Sequence, residues 1–199
     1  RGAFRLKGMS IVRGTWLTML ALLLAASFIY PILGTRARLA NRFDTQSVTL
    51  DGADYMRRAV HREGHQLIEL RWDYDAIRWL QDNLKGSPVV LEAHNEQYHW
   101  SSRIANYTGL PTVLGWPWHQ TQQRGKYSWA VDQRKRDVEE IYSTVDVDEA
   151  MRLLNKYDVS YIYVGPVERL YYQELGLDKF DEMAGNDLEV VYHNQEVTV

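Results

Sequence analysis

The chain of 199 residues contains no cysteine, and this absence removes two kinds of small protein at once. A disulfide-stapled scaffold and a thiolate zinc site both need cysteine side chains. The phosphate-binding patterns GxGxxG and GxxxxGK[ST] are also missing, as is the GxSxG turn that presents a nucleophilic serine. The sequence therefore gives no support to a nucleotide-binding Rossmann domain or to a cysteine or serine nucleophile.

Acidic residues are missing from residues 1–42, which carry seven basic residues. The net charge is −3 for the whole chain, so residues 43–199 carry −10 by subtraction. No overall positive charge indicates nucleic acid as a partner. The uneven charge instead predicts two different environments for the two parts of the chain.

Charges of either sign are absent from TWLTMLALLLAASFIYPILG, residues 15–34. A helix rises ~1.5 Å per residue, so a segment of this length spans a hydrocarbon core of ~30 Å. Trp16 and Tyr30 near its ends, with arginines beyond them, are typical of a membrane helix. We predict a basic juxtamembrane segment over 1–14, a transmembrane helix over 15–34 and a linker over 35–50.

A secretory signal that starts at Met9 is the alternative interpretation, with cleavage near Ala40. The apolar stretch is long for a signal core, and the chain opens with Arg1, which favours a piece of a longer membrane protein. Basic residues are nearly balanced on the two sides of the helix, so the positive-inside rule hardly decides its orientation.

Residues 51–199 carry the patterns of a soluble α/β domain. Apolar residues at helical spacing predict helices over 73–84 and 147–157, and β-branched runs predict strands over 88–92 and 159–164. This order indicates a partly parallel sheet with the two strands as neighbours. The two periodicities predict the burial of Ile77, Leu80, Val90, Leu154 and Ile162.

Two local signals refine this domain. Asp146 followed by Glu149 resembles the capping box at the start of the second helix. LEVVYHNQEVTV, at the end of the chain, predicts two strands joined near Asn194.

The stretch GLPTVLGWPWHQTQQR, residues 109–124, places bulky aromatics among many hydrogen-bonding groups. Ligands of open α/β sheets usually occupy the crevice beyond the carboxyl ends of the strands. We therefore predict a ligand-facing loop beside the end of the 88–92 strand. The candidate substrate-binding residues are Glu92, Trp116, Trp118, His119 and Arg124.

Each candidate has a chemical reason and a structural alternative. Flat tryptophan faces pack on sugar rings or lipid, whereas Arg124, His119 and Glu92 offer a cation, a titratable donor and an acceptor. The alternative is that both tryptophans are core or membrane-interface residues. Arg103, Arg124 and Arg136 could meet a lipid diphosphate and Lys126 could assist, but for each alone a solvated surface charge is the expected role.

A metal site is not expected in this sequence. Imidazole and carboxylate are normal metal ligands, but the spacing of the available residues matches no zinc signature. The residues concerned are Glu92, His94, His99 and His119.

Several separated motifs resemble the C-terminal part of the YYY membrane protein family of bacteria and archaea, a multi-spanning family of uncharacterised function. In chain order they are LDGADYM, DYDAIRWL, VVLEA, RIANYTGLPTVLGWPWHQTQQR, RDVEEIYST, LLNKYDVSYIYVGPVERLYY and VYHNQEVTV, within about residues 48–199. That family is similar to GT-C membrane glycosyltransferases, which take a sugar from a lipid-phosphate donor. The resemblance implies an extracytoplasmic domain that contributes to a lipid-phosphate-sugar or acceptor site.

The resemblance also implies what lies elsewhere. GT-C enzymes place their acidic catalytic residues in loops between early membrane helices, and this sequence contains no such loop, so its catalytic residues are unknown. The implied partners are membrane lipid, a polyprenyl-phosphate-linked sugar and upstream membrane helices of the same protein. The resemblance implies no cofactor within this sequence. It allows a divalent cation in the full-length protein.

Two other function classes stay open on the sequence. One is a non-catalytic binding or sensing module on a membrane anchor. The other is a secreted hydrolase whose first residues are a signal peptide.

Overall fold

The computed structural model describes residues 3–42 and 49–199, which fall into the units Arg1–Leu50 and Asp51–Val199. The first unit is one helix, α1 (Ala3–Arg42), with Pro31 inside it. Within Ile11–Ala40 an 18-residue window has a mean hydropathy of 2.1, so α1 is long and apolar enough to cross a membrane or to serve as a signal sequence.

The predicted linker over 35–50 was wrong in its first half. Residues 35–42 continue α1, because TRARLANR consists mostly of alanine, leucine and arginine, which favour helix. Residues 43–48 of the predicted linker lie outside the described residues.

After a short 3₁₀ helix over Asp54–Arg57, the second unit has a hairpin that the sequence patterns did not predict. β1 (Val60–Glu63) pairs antiparallel with β2 (Gln66–Glu69). Gly64 starts the two-residue turn between them with φ of 59°, a conformation that glycine adopts without a Cβ penalty.

The predicted central strands are confirmed. α2 (Arg71–Asn83) leads to β3 (Val89–Leu91), which pairs in parallel with β4 (Val159–Ile162). Isolated bridges widen this pair: Thr112 lies beside Val90 on one side, and Val164 bridges antiparallel to Thr198 on the other.

The two strands predicted around Asn194 do not form as strands: the segment is a turn with isolated bridges, in which His193 bridges Thr198. Main-chain hydrogen bonds also join Val191 and Tyr192 to Val199. The carboxyl ends of β3 and β4 therefore meet at one edge of a small, mostly irregular sheet.

Helices connect and cover the sheet, so the fold is α/β as predicted. They are α3 (Arg103–Thr108), α4 (Pro117–Arg124), α5 (Ser128–Ser143), α6 (Val147–Lys156), α7 (Pro166–Tyr171) and α8 (Glu174–Met183). Asp146 caps α6, since its carboxylate accepts hydrogen bonds from the N–H groups of Asp148 and Glu149.

The prediction of a loop over residues 109–124 was wrong for its second half. Pro117 opens α4, where its fixed φ suits the first helical position and its missing N–H costs nothing. α4 has no buried residue, so no apolar stripe marked it in the sequence.

Two apolar clusters form the core of the second unit, one around α2 and one around α5 and α6. Among the residues predicted to be buried, Ile77, Leu80, Val90 and Leu154 are buried, whereas Ile162 is only partly buried because it lines a cavity beside β4. Gly176 of α8 lies against the backbone of Tyr142 and Ser143, so a Cβ there would collide with α5.

Candidate functional site

A crevice of about 420 Å³ lies at the carboxyl end of β3. Its wall begins with His94, Asn95 and Glu96, which follow that strand, and Pro117 of α4 adds to it. The remaining lining residues come from α5 and the end of α7: Lys135, Glu139, Ser143, Tyr171 and Tyr172. The position agrees with the general rule that ligands of α/β sheets bind beyond the carboxyl ends of the strands.

The segment 94–102, which leads from this strand end to α3, is under backbone strain. Tyr98 has φ of 70° and Ser102 has φ of 61°, in the left-handed region that side chains rarely adopt. Such conformations cost of order 1–3 kcal/mol each and cluster at ligand sites.

The same segment carries most of the unpartnered buried polar atoms of the described residues. They are Gln97 Oε1, Ser101 Oγ, Ser102 Oγ and the ring nitrogens of His94, of which Nε2 lies 3.5 Å from Glu139 Oε1 without a formed hydrogen bond. Buried polar groups almost always have partners in folded proteins, so a cluster of exceptions indicates a polar ligand or bound water.

His94 is the buried group of the crevice, with only 7 % of its surface exposed. Burial lowers the pKa of His94 to about 4, and the neighbouring positive charge of Lys135 lowers it further. The ring is therefore neutral near pH 7, with one N–H donor and one acceptor nitrogen. It faces the crevice as an uncharged hydrogen-bonding group.

The charges around the crevice do not favour an anion. Lys135 supplies one positive charge, and Glu96 and Glu139 supply two negative charges. Asn95, Ser143 and the two tyrosines add uncharged donors and acceptors. This mixture suits a polyhydroxylated neutral group better than a phosphate.

An aromatic patch adjoins the crevice through Pro117. His119 is its centre, since its ring centroid lies 5.5 Å from those of Tyr98, Trp116 and Trp118. Tyr98 is 77 % exposed and Trp118 is 49 % exposed. Trp116 is partly buried and its Nε1 donates to the carbonyl of Ser101, 3.3 Å away.

A second group of side chains converges on Glu63 of β1, beside the crevice. Its carboxylate accepts hydrogen bonds from the Tyr171 hydroxyl at 2.6 Å, from His61 Nε2 at 3.0 Å and from the Trp100 N–H at 3.1 Å. His99 Nδ1 also donates to it. The Tyr171 hydroxyl accepts from Asn95 and so links Glu63 to the crevice.

These bonds fix the protonation of the group. Burial raises the pKa of Glu63, but the hydrogen bonds from Tyr171, His99, Trp100 and His61 outweigh it and bring the pKa to about 2. An ionised carboxylate only accepts hydrogen bonds, so His99 donates to it from Nδ1. His99 is 45 % exposed, which leaves its ring within reach of a ligand.

Arg103 does not have the surface role that the sequence predicted. It is 1 % exposed and lies between two buried carboxylates, with Nε 2.9 Å from Asp73 Oδ2 and Nη2 2.7 Å from Glu168 Oε2. Asp73 also accepts from Trp100 Nε1 and from the Tyr163 hydroxyl, each at 2.6 Å. This network holds the strand ends and α3 in position beneath the site.

Glu92 is enclosed and does not open into the crevice, contrary to the prediction. It is 0 % exposed, and its two oxygens accept from the N–H groups of Ile104 and Ala105 at 2.8 and 2.9 Å. It thus caps α3, whose first N–H groups have no partner within the helix. Burial raises the pKa of Glu92 to about 7, against the opposing effect of Arg103.

The expectation that His119 and Arg124 share one crevice was also wrong. Both lie on α4, five residues apart. At 3.6 residues per turn their side chains leave the helix about 140° apart. His119 belongs to the aromatic patch, whereas Arg124 is exposed on another face of α4. Lys126 and Arg136 are exposed, as predicted.

The histidines and glutamate considered as metal ligands have separate partners. Among the residues that the structure describes, no group of three histidine, aspartate or glutamate side chains could hold a metal ion. Glu92 caps α3, His99 binds Glu63, and His119 packs against aromatic rings.

Several residues of the site were not singled out from the sequence. Glu63, Tyr98 and Tyr171 belong to it only through contacts between distant segments. A signal for Glu63 existed in HREGH, where a turn glycine follows alternating polar residues in the manner of a hairpin.

Comparison of the chain with protein-family models, with curated proteins and with solved structures found no match. The resemblance to the YYY membrane protein family therefore stays a prediction from the sequence motifs.

Proposed function

We propose that the chain is the C-terminal, extracytoplasmic part of a membrane glycosyltransferase-like protein. In this proposal α1 lies in the membrane and the second unit binds the sugar of a polyprenyl-phosphate donor or of the acceptor. The catalytic acids and further membrane helices belong to a longer protein of which this chain is a part. The second unit is then a recognition element whose own residues hold the sugar.

One observation carries the proposal: a polar crevice of mixed charge adjoins an exposed aromatic patch at the carboxyl end of β3. Sugars offer both faces that this arrangement needs. Their C–H faces pack on aromatic rings such as Tyr98 and Trp118, and their hydroxyls both donate and accept hydrogen bonds. His94, Asn95 and His99 supply complementary groups that have few competing partners.

The charge balance favours the sugar over the phosphate as the group that the crevice binds. Lys135 is outnumbered there by Glu96 and Glu139, so a diphosphate would meet a net negative wall. The phosphate and the lipid then lie outside the crevice. This arrangement fits a domain that distinguishes sugars while the membrane-embedded part of the protein handles the lipid phosphate.

The test is binding by the 199-residue chain in neutral detergent micelles. The probes are a short-chain polyprenyl-phosphate monosaccharide and the corresponding free methyl glycoside, each prepared with several common sugars. The same polyprenyl phosphate without a sugar is the reference. We expect at least one sugar-bearing lipid to bind about tenfold more tightly than the lipid without its sugar, which corresponds to ~1.4 kcal/mol.

Two tryptophan variants supply the matched control. Trp118→Ala removes a ring of the patch, whereas Trp129→Ala removes a ring that is 65 % exposed on α5 and outside the patch. Trp118→Ala should weaken sugar-dependent binding and Trp129→Ala should leave it unchanged. Equal binding of the lipids with and without sugar, for every sugar tried, would contradict the proposal.

A further inference from the structure

A second cavity, which we call the edge groove, has a volume of about 800 Å³ and lies on the other side of β4 from β3. One wall is β4 itself, and the opposite wall is the segment 187–191 before the turn around Asn194. Leu154 of α6 and Phe180 of α8 contribute an apolar floor. Val190 is 49 % exposed, so the far wall also presents apolar surface.

The edge of β4 that faces the groove is open. Tyr163 donates its N–H to Leu91 of β3, whereas the next residue, Val164, exchanges both main-chain bonds with Thr198. Main-chain groups alternate in direction along a strand, so Ile162 and Ser160 face the same side as Val164. In residues 49–199, neither Ile162 nor Ser160 has a main-chain partner on that side.

The charges around the groove are strongly one-sided. Five acidic residues contribute to its lining, against a single cation, Arg169, which is already bonded to the carbonyl of Glu196. The acids are Glu174, Asp178, Asp181, Asp187 and Glu189. A ligand that fits here must carry positive charge at the rim and apolar surface toward the floor.

We propose that the edge groove binds an extended peptide segment of a partner protein in which basic and apolar side chains alternate. The segment pairs with the open edge of β4 as an added strand, so its main chain bonds Ile162 and Ser160. Successive side chains of a strand point to opposite faces. One face then packs on Leu154 and Phe180, and the other meets the carboxylates.

This inference is independent of sugar binding, because the edge groove and the crevice share no lining residue among the described residues. An anionic lipid surface does not fit the same groove, since its headgroups would meet the acidic rim. A peptide without alternation would place charges against the floor.

The test uses the 199-residue chain in neutral detergent micelles and a labelled peptide of about nine residues in which Lys and Val alternate, a typical strand length. Fluorescence anisotropy gives the affinity. The control peptide has the same composition with Lys and Val in blocks, and a second control alternates Glu and Val. We expect the alternating basic peptide to bind at least about tenfold more tightly than either control.

Neighbouring acids on α8 provide a matched pair of variants. Asp181 lines the groove, and Glu182 is equally acidic and exposed but does not. Asp181→Lys should weaken peptide binding several-fold, whereas Glu182→Lys should change it little. Equal effects of the two variants would reduce the binding to general charge attraction and overturn the proposal.

Amide hydrogen exchange tests the strand pairing on the unmodified chain. The amides of Ile162 and Ser160 should exchange at least about tenfold more slowly once the alternating peptide is bound, because paired amides are protected from exchange. Unchanged exchange at both amides would overturn the proposal.

Discussion

Arg103 and Glu168 form a two-point ion pair that is closed off from water. The guanidinium donates from Nη1 to Oε1 at 3.3 Å and from Nη2 to Oε2 at 2.7 Å, and neither residue is more than 1 % exposed. Glu168 also accepts from the N–H groups of Ala93 and Gly165, at the ends of the two central strands. One carboxylate therefore ties together both strand ends and α3.

Removing that charge should destabilise the second unit strongly. Glu168→Gln leaves Arg103 buried with Asp73 as its remaining counter-ion, and breaking a buried pair typically costs about 3–5 kcal/mol. Urea denaturation followed by tyrosine and tryptophan fluorescence measures the loss. Arg152→Ala, which breaks an exposed pair with Glu149 on α6, is the control and should leave the midpoint unchanged.

Glu92 should make the protein less stable as the pH rises. Burial raises the pKa of Glu92 from 4.5 to about 7, so the folded state holds a proton that the unfolded state releases earlier. The proton on Glu92 therefore adds roughly 3 kcal/mol to the free energy of unfolding below about pH 4.5, and this stabilisation is lost as the pH rises through 7. Glu92→Gln keeps the shape without the titration, so its stability relative to the wild type should rise over this range. Parallel curves for the two proteins would show that the carboxylate is ionised throughout.

His94 should have the opposite effect over an overlapping range. Burial lowers the pKa of His94 from 6.5 to about 4, so acid favours the unfolded state. The neutral His94 ring therefore costs the folded state nothing above about pH 6.5, and the free energy of unfolding falls by roughly 3 kcal/mol as the pH falls through 4. His94→Gln should remove this loss, and the difference between variant and wild type isolates it from the trend of Glu92. A variant that loses stability in acid as steeply as the wild type would place the titration elsewhere.

His119 and Arg124 should differ in their effect on sugar binding. His119 contacts three rings of the aromatic patch, whereas Arg124 is exposed on another face of α4. His119→Ala should weaken sugar-dependent binding about tenfold, and Arg124→Ala should change it less than about twofold. The measurement is the same titration in micelles, with thermal unfolding as the check that both variants fold. If Arg124→Ala weakened binding more than His119→Ala, the phosphate of the ligand would have to bind near Arg124.

α1 should hold the chain in a membrane through its central residues. Leu23→Arg places a charge in the middle of the uncharged run, where translocon-based scales give a cost of ~2.5–3.5 kcal/mol. Leu39→Arg adds the same charge near the end of the apolar stretch, where an arginine can reach the interface. Only Leu23→Arg should reduce the membrane fraction after alkaline extraction. Release of a mature chain cut near Ala40 would instead identify a signal sequence.

The elements that the sequence predicted are those whose signal is periodic. α2, α6 and β3 bury apolar residues, and β4 is an apolar run that is partly buried, so each carries a recognisable apolar pattern in the sequence. α4 buries no residue, so the polar string WHQTQQR has no such pattern and predicts a loop. Its proline at the first turn was the signal available.

The site followed from the sequence only in its location. The strand-end rule placed it beside β3, where Pro117 lines the crevice and Trp118 and His119 belong to the adjoining aromatic patch. The partners of Glu92 and Arg103 were not predictable, because each is decided by segments distant in the chain that fold against it. The identity of a charged residue in the sequence does not show whether its side chain is buried or solvated.

The left-handed backbone of Tyr98 sets stability and recognition against each other at one position. Tyr98→Gly would relieve a conformation that costs roughly 1–2 kcal/mol, and the protein should gain stability. The same change deletes the most exposed ring of the aromatic patch. Selection of variants for thermal stability alone would therefore favour glycine at position 98. If selection for ligand binding as well as stability retained tyrosine there, the residue would be kept for binding.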